Sequence, residues 1–153
     1  MRRMRWGGMV AVLAVTAMTG CASMESSGTA APATSVYQRL GGREGIAGIV
    51  DDFVVNAQAD PRIGPAFKAI PPAKLGPVKS NMADFICDAT GGPCAYLGRN
   101  MKDTHKDMKL GKEDIDAFNA ALGRALDTHK VSAADKAQVI KLTESVAPDV
   151  MGQ

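Results

Sequence analysis

Apolar residues three and four apart recur from Ile46 to Val146, and that period leaves the chain little alternative to helices. In "REGIAGIVDDFVVNAQ", Ile46, Ile49, Val50, Phe53, Val54 and Ala57 form one stripe that starts after Gly41 and Gly42 and stops near Asp60 and Pro61. After Pro72, the residues Leu75, Val78, Met82, Phe85, Ile86 and Ala89 mark a second stripe, ended by Gly91 and Gly92. Ile115, Phe118, Leu122, Ala125 and Leu126 define a third, and Val139, Ile140, Leu142 and Val146 the last. Ser35 before "VYQRL" is placed to cap a short first helix, and Ser132 with Asp135 reads as an approximate capping box. Four prolines in "PRIGPAFKAIPP" predict an irregular connection with Phe67 as its one large apolar anchor, and "PCAYLGRN" predicts a loop. No heptad run, internal repeat or period-two alternation is present. The expected fold is all-α, built from short helices that do not form a regular up-down bundle.

The first 35 residues follow a different logic. Arg2, Arg3 and Arg5 precede "WGGMVAVLAVTAM", an apolar run too short to span a bilayer stably, and the pair reads as an export signal over residues 1–20. The run ends in "MTGC", which resembles the lipobox of bacterial lipoproteins, with Met18 where leucine is commoner. That resemblance implies cleavage before Cys21, lipidation of Cys21 and, with Ala22 next, a place at the periplasmic face of a Gram-negative outer membrane. The alternative is an ordinary signal peptide. Residues 21–35, rich in small residues, read as a flexible tether, which leaves residues 36–153 as one domain. Removing the signal's three arginines leaves 15 basic against 16 acidic residues, so nothing implies a nucleic-acid partner.

Signs of catalysis are scarce. The chain has no G-x-S-x-G, no cysteine–histidine nucleophile pair and no phosphate loop following a strand; "GGREG" reads as a turn between helices. Asp51 and Asp52 point apart on a helix, as solvated carboxylates do. An oxidising compartment permits a disulfide across "CDATGGPC", because Gly91 and Gly92 can turn the chain back; the alternative is two small buried thiols, Cys87 and Cys94, that never meet. Without a nearby histidine these two cysteines make a poor zinc site.

"GRNMKDTHKDMKL" places His105 between Met101 and Met108. On a helix ending at Gly111 these three share one apolar stripe, with Lys102, Lys106 and Lys109 beside it. A surface helix with a half-buried histidine would look the same. The domain holds few large core residues, namely Phe53, Phe67, Phe85, Phe118, Tyr37 and Tyr96, and a large apolar cofactor would complete such a core. Haem does so, and its iron takes a proximal histidine.

"YQRLGGREGIAGIVDDF", "DPRIGPAF" and "ATGGPCAYLGRNMKDTHKDMKL" resemble the group I truncated haemoglobins, two-over-two helical globins, from Val36 to Val150. The resemblance implies haem b, with His105 as proximal iron ligand and Phe67, Met101, Met82, Val78, Val54, Phe85, Tyr96 and Phe118 around the porphyrin. It implies methionines on the haem and lysines facing solvent or the propionates. The neutral His105 ring needs its second N–H satisfied, and Met101 offers a carbonyl four residues earlier. His129 is expected to serve a helix C-terminus or solvent. The implied function is reversible binding of dioxygen, nitric oxide or carbon monoxide, without enzymatic turnover. The chain departs from the family on the distal side: Val54 replaces a common tyrosine, and Val78 and Met82 replace polar residues. Loss of those donors weakens polar stabilisation of a ligand and removes support for nitric oxide dioxygenation. The alternative function is electron transfer or redox sensing by a six-coordinate haem, closed by Met82 or, second to it, Lys79. An unidentified reductase is left open as a further partner, and the sequence does not name one.

Overall fold

The computed structural model describes residues 34–153, and the signal segment 1–20, Cys21 and most of the tether lie outside them. Among the described residues there are seven helices and no strand: α1 (Val36–Arg39), α2 (Gly42–Ala59), α3 (Gly64–Lys68), α4 (Pro72–Ala89), α5 (Met101–His105), α6 (Lys112–Thr128) and α7 (Ala133–Val150). The pair α2 and α4 packs over the pair α6 and α7, with α2 on α6 as the central interface, which is the two-over-two globin sandwich. The apolar stripes meet there: Ile46, Ile49, Val50, Phe53, Val54 and Ala57 of α2 are buried together with Ala121, Leu122, Ala125 and Leu126 of α6 and Val139 of α7.

Local chemistry starts and stops these helices. The Ser35 hydroxyl accepts the Gln38 N–H while the Gln38 side chain accepts the Ser35 N–H, a complete capping box. Gly41 (φ 87°) and Gly42 (φ 66°) adopt the left-handed backbone that turns the chain from α1 into α2. The proline-rich connection is more ordered than its composition predicts. It contains α3, because Pro65 sits in the first turn, where a missing N–H costs nothing, and Asp60 accepts the N–H groups of Arg62 and Ile63.

The start of α7 also differs from expectation. Ser132 does accept the Asp135 N–H at 3.1 Å, but the Asp135 carboxylate reaches back to the Ser132 hydroxyl, at 2.7 Å, and not to its backbone N–H. It turns also to Arg39 of α1, which donates through Nε at 3.0 and 3.1 Å and through Nη2 at 2.6 Å. A two-pronged charge-assisted contact outweighs one return bond to a cap N–H, and it locks the two ends of the domain together. Arg39, and after it the Ser132 hydroxyl, hold the Asp135 carboxyl below the usual carboxylate range.

A carboxyl that titrates lower in the folded than in the unfolded chain stabilises the fold fully above the unfolded value, about 3.9, and stops doing so as pH falls toward the folded value. Asp135→Asn is therefore expected to lower the urea midpoint at pH 7, and the gap from the wild type should narrow below about pH 4. A gap that stays constant through the acid range would show that the charge contributes nothing.

Candidate functional site

His105 is the last residue of α5, a helix of only five residues opened by Asn100, whose side chain accepts the Asp103 N–H at 2.8 Å. The His105 Nδ1 lies 2.9 Å from the Met101 carbonyl, so Nδ1 carries the proton and donates it. That tautomer leaves Nε2 as a lone-pair donor on a half-buried ring, the form in which imidazole binds a metal. The other histidine is engaged elsewhere: His129 ends α6, and its Nε2 pairs with Asp52 of α2 at 3.0 Å. The expected role of His129 at a helix end holds for its backbone, whereas its ring joins two helices.

The stripe expected around His105 is shorter than the sequence period predicts. The chain leaves the helix at Lys106, and Asp107 (φ 67°) and Lys109 (φ 53°) take left-handed backbone. Met108 is thus off the helix and 45 % exposed, and Lys106 and Lys109 do not share a helical face with Lys102. Two backbone bonds tie the segment down instead of a longer helix: the Lys109 N–H donates to the Gln153 carbonyl and the Gly152 N–H to the Leu110 carbonyl.

The apolar residues singled out in the sequence divide into two groups. Phe53, 1 % exposed, carries Phe67 edge-on at 5.5 Å and Phe118 tilted at 4.6 Å, so α2, α3 and α6 share one aromatic cluster. Phe85 of α4 meets Tyr96 of the following loop edge-on at 5.7 Å. Val54 is fully buried in α2, while Val78 and Met82 lie half-buried on α4. Leu75, one turn before Val78, belongs with them; the three-and-four period carries it, although the resemblance did not single it out.

The loop between α4 and α5 is pinned at several points. Cys87 and Cys94 form a disulfide across seven residues. Gly92 passes so close that a Cβ there would lie 2.5 Å from the Cys87 sulfur and 2.6 Å from the Tyr37 ring. Asp88 accepts the Tyr96 N–H at 3.0 Å, and the Tyr96 hydroxyl donates to the Arg99 carbonyl at 2.8 Å. Asp88 has no signature in the sequence, because its role depends on a loop folding back over the end of α4.

Helix α5 packs on α7, and α4 packs on α2, with no comparable packing between α4 and α5. Phe67, Leu75, Val78, Met82, Phe85, Met101 and Phe118 all remain half-buried, although each is strongly apolar. Three of the four phenylalanines in one small domain stop short of full burial, which is what a flat apolar group resting on them would require. With a free imidazole nitrogen at the edge, the donor set and the apolar faces fit haem. On the α4 side the ionisable neighbour Lys79 is spoken for, since its ammonium pairs with Asp51 at 2.9 Å. The side chains of Asp51 and Asp52 are solvent-exposed as expected, and each also has a partner, Asp51 the Lys79 ammonium and Asp52 the His129 ring.

The bacterial-like globin family model matches residues 35–151. A group 1 truncated hemoglobin of Nostoc sp. (strain MUN 8820) is 30 % identical over 111 residues, covering 72 % of this chain and 92 % of that protein. The group 1 truncated hemoglobin of Tetrahymena pyriformis is 29 % identical over 119 residues, 78 % of this chain and 96 % of that protein. Its crystal structure in the Fe(III) form superposes with a TM-score of 0.72 at 28 % identity, covering 78 % of this chain and all of that one. The 2/2 hemoglobin of Synechococcus sp. PCC 7002 gives a TM-score of 0.69 at 28 % identity over the same share of this chain and all of its own. With the family model spanning the whole folded domain, the chain belongs to the bacterial-like globins, as a group 1 truncated haemoglobin whose cofactor is haem with its iron.

Proposed function

We propose that the domain binds dioxygen, nitric oxide or carbon monoxide reversibly at a haem iron held by His105. The observation that carries the ligand assignment is the 2.9 Å contact between His105 Nδ1 and the Met101 carbonyl, which directs the free Nε2 lone pair outward. When bound, haem would supply an iron able to take a diatomic gas as ligand. The chain's own residues do the rest. Phe67 and Phe118, backed by Phe53, supply a rigid apolar wall, and Phe85 with Tyr96 closes the side near the disulfide-pinned loop. Val54, Val78 and Met82 bring no strong hydrogen-bond donor to the distal side. Such a lining would give a partly negative ligand little polar support, which favours fast release of dioxygen and offers no support for nitric oxide dioxygenation.

A second reading, a six-coordinate electron-transfer protein, rests on the half-buried Met82 thioether on α4. Lys79 does not compete for that place while it is paired with Asp51. The absorption spectrum of the ferrous protein separates the readings. A five-coordinate high-spin spectrum is expected for gas binding; a six-coordinate low-spin spectrum that Met82→Leu converts to five-coordinate would establish the methionine ligand instead.

The tether belongs to the same proposal. The basic start, the short apolar run and "MTGC" support an exported domain held by a lipid on Cys21, at the outer membrane. No helix among the described residues is long and apolar enough to cross a membrane. Cys21→Ser is expected to move the domain from the membrane fraction to the soluble one and to abolish labelling by radioactive palmitate. Absence of label from the wild-type protein would remove the lipid anchor.

A further inference from the structure

We infer that the segment Leu97–Leu110, around the His105 helix, is the docking surface for an acidic one-electron carrier protein. The inference rests on the haem-iron reading, because an electron delivered there needs an acceptor. Two of the three large hydrophobic side chains exposed among the described residues lie in this segment: Leu97 at 91 % and Met108 at 45 %. Four exposed cations stand beside them, Arg99, Lys102, Lys106 and Lys109, against the carboxylates of Asp103 and Asp107. Asp103 is engaged by Asn100 at 2.7 Å. Lys102 reaches Asp149 only at 3.6 Å with both ends open to water, and Arg99, Lys106 and Lys109 form no ion pair among the described residues. Several cations elsewhere are instead paired at 3 Å or less, among them Arg39, Arg43, Lys79 and Lys136.

Cations unpaired among the described residues, such as Lys68, Lys74 and Arg124, occur elsewhere too, but within residues 97–110 cations outnumber carboxylates, whereas basic and acidic residues balance over residues 34–153. A small apolar centre within an unpaired basic rim suits a brief encounter with a negatively charged partner: the charges steer and orient, and the apolar contact needs little area. The surface is held in place from both ends, by the Tyr96 N–H on Asp88 and by the bonds of Lys109 and Leu110 to the last residues of the chain. At its middle stands His105, so an electron entering here is next to the iron's ligand. The donor-free distal side supplies the need, since ferrous iron that oxidises readily must be reduced again. The step is a single-electron transfer in which the carrier loses one electron and ferric iron gains one, with no bond made or broken.

The test uses the haem-loaded protein and an acidic flavodoxin as probe. In the diamagnetic ferrous carbon monoxide form, flavodoxin at low salt is expected to shift amide resonances within residues 97–110, and the shifts should vanish near 0.5 M salt, where the Debye length falls to roughly 4 Å. Arg99→Glu with Lys106→Glu should slow reduction of the ferric protein by reduced flavodoxin about tenfold or more at low salt, as loss of electrostatic steering does. Reduction by a small uncharged quinol should stay unchanged. Shifts centred elsewhere, a salt-independent rate, or equal slowing with both reductants would overturn the inference. Loss of haem affinity in the double variant with flavodoxin binding intact would assign the cations to the haem propionates and also overturn it. If excess dithionite produces no ferrous haem spectrum in the wild-type protein, the haem-iron reading falls first and takes this surface with it.

Discussion

His105→Ala is expected to abolish stable haem incorporation. Among the described residues, His105 is the histidine whose Nε2 makes no hydrogen bond, its other nitrogen being held at 2.9 Å by the Met101 carbonyl. Losing an outer-shell partner of a metal ligand costs about 10–100-fold in affinity, so loss of the ligand itself should accelerate haem transfer to an acceptor globin by on the order of 100-fold or more. The helix content should change little, because α5 is a five-residue helix outside the α2–α6 interface. His129→Ala makes the matched comparison: it breaks a surface pair with Asp52 and should leave haem retention as it was. Unchanged haem loss in His105→Ala, with an unchanged axial-ligand spectrum, would exclude His105 as the ligand.

Val54→Tyr is expected to slow dioxygen release by about tenfold or more, since a hydrogen bond to a ligand with partial negative charge contributes roughly 1.5–3 kcal/mol, or one to two decades. Carbon monoxide, which develops less charge, should respond less. Val54 is 2 % exposed, so the larger ring also brings overpacking, and Val54→Phe is the control that adds the ring without the hydroxyl. The prediction is therefore a difference: tyrosine slows dioxygen release relative to phenylalanine, and the two variants release carbon monoxide at similar rates. Slow release in the wild type, unaltered by either substitution, would mean that another group already donates to the ligand.

Most of the helices were legible because what forms them is local. The stripes of α2, α4, α6 and α7 follow from neighbours three and four residues apart, and the serine caps at Ser35 and Ser132 and the glycine turn at Gly41 and Gly42 act within a few residues of themselves. The contact between the His105 ring and the Met101 carbonyl is of the same kind, an i to i−4 relation that any helix ending at a histidine can make. What the sequence did not settle was decided by packing. The period that suggested a helix through Met108 continues past the point where Lys109 and Leu110 find better partners in Gln153 and Gly152, so the chain leaves the helix at Lys106. Asp135 keeps its bonds with the Ser132 side chain but turns its carboxylate also to Arg39, 96 residues away, because a paired guanidinium binds a carboxylate more strongly than one amide does. Phe53 becomes the hub of an aromatic cluster because α3 and α6 deliver Phe67 and Phe118 to its ring. Composition and spacing thus determined which faces are apolar and where a histidine ring is set with one free nitrogen. Only the tertiary arrangement decided that α4 packs on α2 and α5 on α7 and not on each other, since the placement of two helices depends on what each packs against elsewhere.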